Sequence, residues 1–211
     1  MQRGRLITLE GGEGAGKSTL VAGLRALFEA RGIRPLLARE PGGTPLGEAI
    51  RALVLDPAHI STCAEAELLL MFASRAQLVR EVILPALEQG RWVLCDRFTD
   101  ASFAYQGGGR GQPFERIEEL ERWAAAGLKP DLTLLLDLDV DRGRARAAGR
   151  GEADRIEVEE DGFFERVRAA YRRRAAEEPG RFRILDAGLP AAQVLEAAAA
   201  ALSPLLEDAE R

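Results

Sequence analysis

One histidine, two cysteines and two lysines are all that this 211-residue chain holds of three residue types on which function often rests. His59 alone cannot form a histidine cluster, and Cys63 and Cys95 supply neither a disulfide framework nor a four-ligand zinc site. A reducing, cytoplasmic setting is expected. Nowhere do about 20 apolar residues run uninterrupted, and the opening Met-Gln-Arg-Gly-Arg leads straight into a short apolar strand, so neither a membrane span nor an export signal is expected. A large excess of either charge is missing too. With 34 acidic and 29 basic residues the net charge is −5, which argues against a general nucleic-acid or membrane-surface binder, and any positive field must be local. Because Lys17 and Lys129 are the only lysines, almost every cation is an arginine, fixed in charge and forked in shape. The 46% hydrophobic fraction suffices for a real core and excludes a disordered chain.

Periodicity predicts a strand over Leu6–Glu10, a glycine cluster, then a helix over Ser18–Arg31. A second strand over Arg34–Ala38 ends at Glu40-Pro41-Gly42-Gly43, where proline and glycine force a turn, and a helix follows over Leu46–Leu55. Glu65–Gln89 reads as one long helix with a kink at Pro85. Trp92–Cys95 is a strand of the type buried on both faces, closed by Asp96. A glycine-rich stretch Gly107–Gly111, a helix over Phe114–Ala126, a strand over Leu132–Leu138, an arginine-rich region to Arg155, a strand over Arg181–Leu185 and a helix over Ala191–Leu206 complete the reading. Short apolar strands alternating with helices predict an α/β fold of three layers, with five parallel strands covered on both faces. Neither a repeat nor a low-complexity linker divides the chain, so one domain over 1–211 is expected.

Gly11-Gly12-Glu13-Gly14-Ala15-Gly16-Lys17-Ser18 fits G-x-x-x-x-G-K-[ST] and sits between a strand and a helix, as a phosphate-binding loop must. Glycines let backbone N–H groups turn toward phosphate oxygens, the helix N-terminus adds partial positive charge, and Lys17 reaches the outer phosphates. Ser18 would place its hydroxyl on Mg²⁺, and Asp96, at a strand end, fits a second carboxylate on the metal side. No Asn-Lys-x-Asp motif is present, which disfavours a switch GTPase. Arg97 beside Asp96 suits a kinase, which has a second phosphate to hold.

Leu9-Glu10 through Thr19, then Arg39-Glu40-Pro41-Gly42-Gly43-Thr44, then Asp96-Arg97 with Ser102 and Ala104-Tyr105-Gln106-Gly107-Gly108-Gly109-Arg110-Gly111, resemble bacterial thymidylate kinases. Asp154-Arg155-Ile156-Glu157 and Leu185-Asp186-Ala187 also fit, so the likeness spans about residues 5 to 205. It implies a P-loop kinase fold with a short arginine-rich lid near 141–157, and transfer of the ATP γ-phosphoryl to dTMP on the way to dTTP. It further implies Mg²⁺ with ATP as donor, and a homodimer. Residues 11–19 (Gly11, Gly12, Glu13, Gly14, Ala15, Gly16, Lys17, Ser18, Thr19) would bind ATP. By resemblance Arg97 holds the dTMP phosphate, Asp96 serves the metal or its waters, and Arg75 hydrogen-bonds a thymine carbonyl. The family's stacking aromatic stands four residues before that arginine. Here Met71 occupies that position and Phe72 the next, and either could cover the base. Tyr105 would sit against the sugar and disfavour a ribose 2′-hydroxyl, with Ser102 three residues away on one helix face. Gln106 is a possible base contact. Glu13 would face the acceptor's 3′-hydroxyl or the metal waters. Arg39 and Pro41, with Arg51 as the weaker candidate, complete the expected acceptor site.

Some thymidylate kinases carry a basic residue in the phosphate loop and others in the flap, and because this loop has Glu13 and no arginine, the resemblance implies the second arrangement, in which the lid supplies the catalytic cation. Arg142, Arg146 and Arg150 recur every four residues, with Gly149 and Gly151 as a hinge. The expected order of importance is Arg150, Arg146, Arg155, with Arg142 and Arg144 solvated. Asp154 and Glu157 either order this flap or, for Glu157, approach the acceptor. Two other readings compete: a deoxynucleoside or other nucleoside monophosphate kinase on the same scaffold, and a nucleotide-dependent regulator or partitioning ATPase. The paired Arg39 and Arg97 favour an acceptor that already bears phosphate.

Overall fold

In a computed structural model that describes residues 3–148 and 153–209, five strands form one parallel sheet in the order β2-β3-β1-β4-β5. They are β1 Leu6–Gly11, β2 Leu36–Arg39, β3 Val93–Asp96, β4 Leu132–Asp137 and β5 Phe182–Asp186. All strand ends carrying polar residues therefore point the same way, toward the sheet edge where open parallel sheets take ligands. Register brings Leu9 opposite Asp96 and Arg39 opposite Asp96, so the first three strands deliver their last residues to one place.

Helices cover both faces. On one, α1 (Lys17–Glu29) buries Leu20, Leu24 and Phe28 at four-residue spacing against Ile7, Leu9 and Leu94, joined by Val194, Ala198 and Leu202 of α9 (Ala191–Ala209). On the other lie α2 (Pro45–Leu55), α3 (Ala64–Leu78), α4 (Leu84–Glu88), α5 (Thr99–Ser102) and α6 (Phe114–Ala124). Thr44 caps α2 by accepting from Gly47 N–H at 3.0 Å, and Pro45 opens it. A further pair, α7 (Val140–Ala147) and α8 (Asp161–Glu177), follows β4, and the periodicity reading had no counterpart to α8.

Two departures from regular helix have physical causes. The expected kink at Pro85 is a π-turn over Val79–Ile83, in which Leu84 N–H donates to Val79 O. Pro85 has no N–H to give and its ring crowds the preceding turn, so the backbone widens just before it. Most of the glycine-rich stretch Gly107–Gly111 belongs to a π-helical segment, Phe103–Gly109, continuing α5. Its glycines are there for contact, because a Cβ on Gly108 would lie 2.6 Å from the Ala170 Cβ and 2.7 Å from the Arg166 carbonyl oxygen of α8. That close approach seats α8 on the segment, and the apolar residues of α8, among them Phe163, Val167 and Tyr171, fill the space beside Ala104 and Tyr105.

Gly108→Ala should therefore lower stability by about 1–3 kcal/mol through overpacking, despite alanine's better helix propensity. A fall in Tm of roughly 2–10 °C checks this, and an unchanged melting curve would show that α8 is not seated as described.

Candidate active site

At the sheet's C-terminal edge the chain between β1 and α1 turns through Gly14 and Gly16, both at positive φ (68° and 93°). A Cβ on Gly14 would meet the Gly143 carbonyl oxygen of α7 at 2.0 Å, so loop and α7 touch backbone to backbone. Lys17 is buried there, and its Nζ donates to the carbonyls of Gly11 (3.1 Å) and Gly12 (3.0 Å). Burial first, then the like charge of Arg97, pushes its pKa down to about 8, against the pull of Glu13, Asp96 and Glu10. Ser18 and Thr19 are exposed beside it.

Arg97 adopts φ 68°, a left-handed conformation that costs a non-glycine residue roughly 1 kcal/mol or more. The turn aims its guanidinium back over β1. Nη1 donates to Gly11 O (2.9 Å) and Tyr171 Oη (3.2 Å), and Nη2 to Glu13 Oε1 (2.6 Å) and Tyr105 Oη (2.9 Å). Tyr105 Oη in turn donates to Glu13 Oε1 at 2.8 Å. Tyr171 Oη donates to Glu10 Oε2 (2.7 Å), whose other oxygen accepts from Phe98 N–H (2.7 Å). One chain of hydrogen bonds thus runs from Glu10 to Glu13 through Arg97.

Three neighbouring cavities meet around these residues. The first, about 1120 Å³, is bounded by Gly14, Ala15, Gly16, Thr19, Arg146 and the β5–α9 turn. The second, about 600 Å³, is lined by the loop from Glu13 to Ser18 together with Arg39, Glu40, Arg51, Asp96 and Arg97. The third, about 560 Å³, is lined by Arg51, Met71, Arg97, Tyr105, Gln106 and Asp154 among others, including Pro41 and Glu13. Among the described residues the buried Asp96 Oδ1 has no hydrogen-bond partner, and Asp96 shares the second cavity with Ser18. A hard oxygen donor left unpaired beside a hydroxyl suits Mg²⁺.

Several expected residues stand elsewhere. Of the two candidates for covering a base, Met71 lines the third cavity, whereas Phe72 is buried with Leu68, Phe103 and Ile117, its ring 4.5 Å beneath the Arg75 guanidinium. Arg75 is fully buried: Nε donates to Glu40 Oε2 (2.7 Å), Nη1 to Ser102 Oγ (3.0 Å) and Nη2 to Phe98 O (3.0 Å). Ser102 is buried with it, and it does not share a surface with Tyr105, because the helix widens at Phe103 and moves the tyrosine round toward Arg97. Arg155 requires a correction. It is 2% exposed, with Nε donating to Val54 O (2.7 Å) and Nη2 to Glu67 Oε2 (2.6 Å), so its charge is spent inside the protein rather than offered to a phosphate. Arg146 donates to Ala187 O (2.9 Å) on the wall of the first cavity. Arg144 is not simply solvated, since it pairs with Asp161 and donates to Glu159 O. Arg39, exposed, pairs with Glu48 at 2.7 Å, while Arg51, ranked below it, lines both the second and third cavities. Arg150 lies outside the described residues.

Four site residues went unassigned from the sequence. Glu10 ends a strand that is otherwise apolar apart from Thr8, Glu40 ion-pairs with Arg75, and Glu67 receives Arg155. Tyr171 sits on α8, whose Phe163, Phe164, Val167, Ala170 and Tyr171 recur at helical spacing, a signal that was present and overlooked.

The family model described as thymidylate kinase matches residues 9–198. The thymidylate kinase of Halorhodospira halophila is 54% identical over 97% of this chain and 96% of its own length. That of Alkalilimnicola ehrlichii is 56% identical over 96% and 94%, and that of Ectopseudomonas mendocina 55% identical over 97% of each.

Burial, then the negative charge of Asp100, pushes the Glu10 carboxyl up to about 8, against the Tyr171 and Phe98 donors and Arg97. The folded protein therefore holds a proton there that the unfolded chain releases near its ordinary value of 4.5. This contribution to stability is full below about pH 4.5, declines above it and is gone above about pH 8. Between pH 5 and 9 the wild type should lose at least ~1 kcal/mol relative to Glu10→Gln. Urea midpoints of both proteins across that range test this, and parallel profiles would contradict it.

Proposed function

The chain belongs to the thymidylate kinase family and transfers the γ-phosphoryl group of ATP to dTMP, giving dTDP and ADP; from that premise we propose how its residues divide the work. The observation that carries the proposal is the second cavity, where the phosphate loop, Lys17, Arg97 and the unpaired Asp96 oxygen face one another between the first and third cavities. Phosphoryl transfer needs two anionic groups held in line and their repulsion neutralised, and little covalent chemistry from the protein.

The first cavity takes the donor nucleoside, and the backbone N–H groups of residues 11–19 at the start of α1 hold its phosphates, with Lys17 leaving the Gly11 and Gly12 carbonyls for them. Ser18 Oγ and Asp96 would hold Mg²⁺, whose charge would offset that of the phosphates. The third cavity takes dTMP, its phosphate toward Arg97, Arg51 and Arg39 and its base toward Met71 and Gln106. A guanidinium fixed by four acceptors keeps its charge in place beside the acceptor phosphate, and a phosphate that takes its forked donors exchanges with one or more of those acceptors. Tyr105, bonded to Glu13 and Arg97, forms the wall against the sugar and makes the choice of a deoxyribose steric. Arg75, one wall deeper, sets the depth of the base pocket through Glu40 and Ser102. Residues 141–157 act as the lid of a single kinase domain, with Arg146 and Arg150 its cations and Arg155 its anchor.

A homodimer belongs to the same reading. Exposed apolar side chains Leu46 and Leu53 of α2, Leu69 of α3 and Trp123 of α6, on helices that pack together, supply a surface for a second copy. Among the described residues no helix is long and apolar enough to cross a membrane. A cytoplasmic setting, with two small nucleotides and neither membrane nor nucleic acid as partners, is part of the same proposal.

Assayed side by side with ATP, dTMP should be the best acceptor among dTMP, dUMP, dCMP, UMP and thymidine, and Arg51→Ala should raise the KM for dTMP about tenfold or more. A preference for thymidine over dTMP would overturn the placement of the acceptor phosphate.

A further inference from the structure

Glu67 of α3 is a carboxylate at 1% exposure whose side-chain partners all come from other elements. Its Oε1 accepts from Gln106 Nε2 at 2.9 Å and its Oε2 from Arg155 Nη2 at 2.6 Å, while Arg110 Nε lies 3.4 and 3.2 Å from the two oxygens. A carboxylate held between two guanidinium groups accepts and does not donate, so the amide facing it must present its NH2 group. That settles the orientation of Gln106 on chemical grounds. Its carbonyl oxygen is then the free end. Gln106 Oε1 is buried without a hydrogen-bond partner, and Gln106 lines the same cavity as Met71, Tyr105 and Arg97.

We propose that Glu67 is a specificity-determining positioning residue. By locking the Gln106 amide it presents a hydrogen-bond acceptor to the base, and the cavity thereby selects pyrimidines with an N3–H donor and rejects cytosine, whose N3 is itself an acceptor. An unconstrained amide turns over to suit either base. With Glu67 in place the turned amide sets its carbonyl against a carboxylate, and the unturned one leaves two acceptors facing each other, so cytosine loses in both arrangements. Because Arg155 is held by the same carboxylate and by the Val54 carbonyl, the lid's C-terminal root and the base-reading amide share one clamp.

This inference rests on the third cavity being the acceptor's site, and the test separates the two. The kcat/KM values for dTMP and dCMP are compared in the wild type and in Glu67→Gln. In the variant the new amide oxygen stays with Arg155 and Arg110, its NH2 faces Gln106, and Gln106 turns to present a donor to the base. The dTMP-to-dCMP ratio should fall about tenfold or more. A variant in which both values drop together and the ratio holds would overturn the proposal, because a merely structural Glu67 would behave that way. Should Glu67→Gln not fold, Glu67→Asp keeps the charge opposite Arg155 but shortens the reach to Gln106, and the ratio should narrow there too. A wild type with no preference for dTMP over dCMP would sink the acceptor-site reading itself, and the proposal with it.

Discussion

A guanidinium brought into the protein at the end of a parallel strand has five N–H donors to satisfy, and the active-site end of this molecule is arranged around doing so for Arg97. Its side chain is 15% exposed, and its left-handed φ turns it toward β1. There the last carbonyl of β1, one carboxylate and two phenols from three separate parts of the chain receive it. Removing any one of them leaves donors of a largely buried cation unpaired, at a cost of about 1–3 kcal/mol. Hence Glu13 can stand in a phosphate-binding loop without repelling phosphates: its negative charge is committed to Arg97 and Tyr105. Hence also the seating of α8 on the glycine-bearing π-segment, which brings Tyr171 to Arg97 and Glu10.

The same reasoning explains how a chain of net charge −5 handles two polyanions. Its cations are placed one at a time, and many are turned inward. Arg75 with Glu40, Arg155 with Glu67, and Arg174 and Arg181 with Asp100 are buried pairs in which each charge offsets the other's desolvation. Such pairs are weak sources of net stability, yet losing one partner is costly. They therefore suit positions where geometry must not drift. In the proposed division of roles they fix the depth of the base pocket and the root of the lid, and they fix the packing of α5 against α8. That proposal leaves a short set for phosphates: Lys17, Arg97, Arg51, Arg39 and the lid.

Much of this was legible in the sequence, and the parts that were not share a cause. The strands and the phosphate loop could be read because their information is local: short apolar runs, glycine spacing, a lysine and a serine at fixed offsets. Arg97 could be placed because a strand end in a parallel sheet is a ligand position. Arg155 was misjudged because its partner, Glu67, lies 88 residues away, and charge in an arginine-rich stretch looks alike whether it faces solvent or a buried carboxylate. Helix α8 was passed over because its arginines and glutamates mask an apolar stripe that was nonetheless present at helical spacing. The glycines of 107–109 were given no element from the sequence alone. Only the helices packed against them, α6 on Gly107 and α8 on Gly108 and Gly109, show why side chains are missing there.

The central claim is that Arg97, held rigid by Gly11, Glu13, Tyr105 and Tyr171, binds the phosphate of the acceptor. Calorimetric titration of dTMP and of thymidine into the wild type and Arg97→Ala isolates that phosphate's contribution to binding. The account predicts that the wild type binds dTMP at least about a hundredfold more tightly than thymidine, as a charge-assisted contact allows, and that Arg97→Ala removes most of the difference. A difference that survives intact in Arg97→Ala would contradict it.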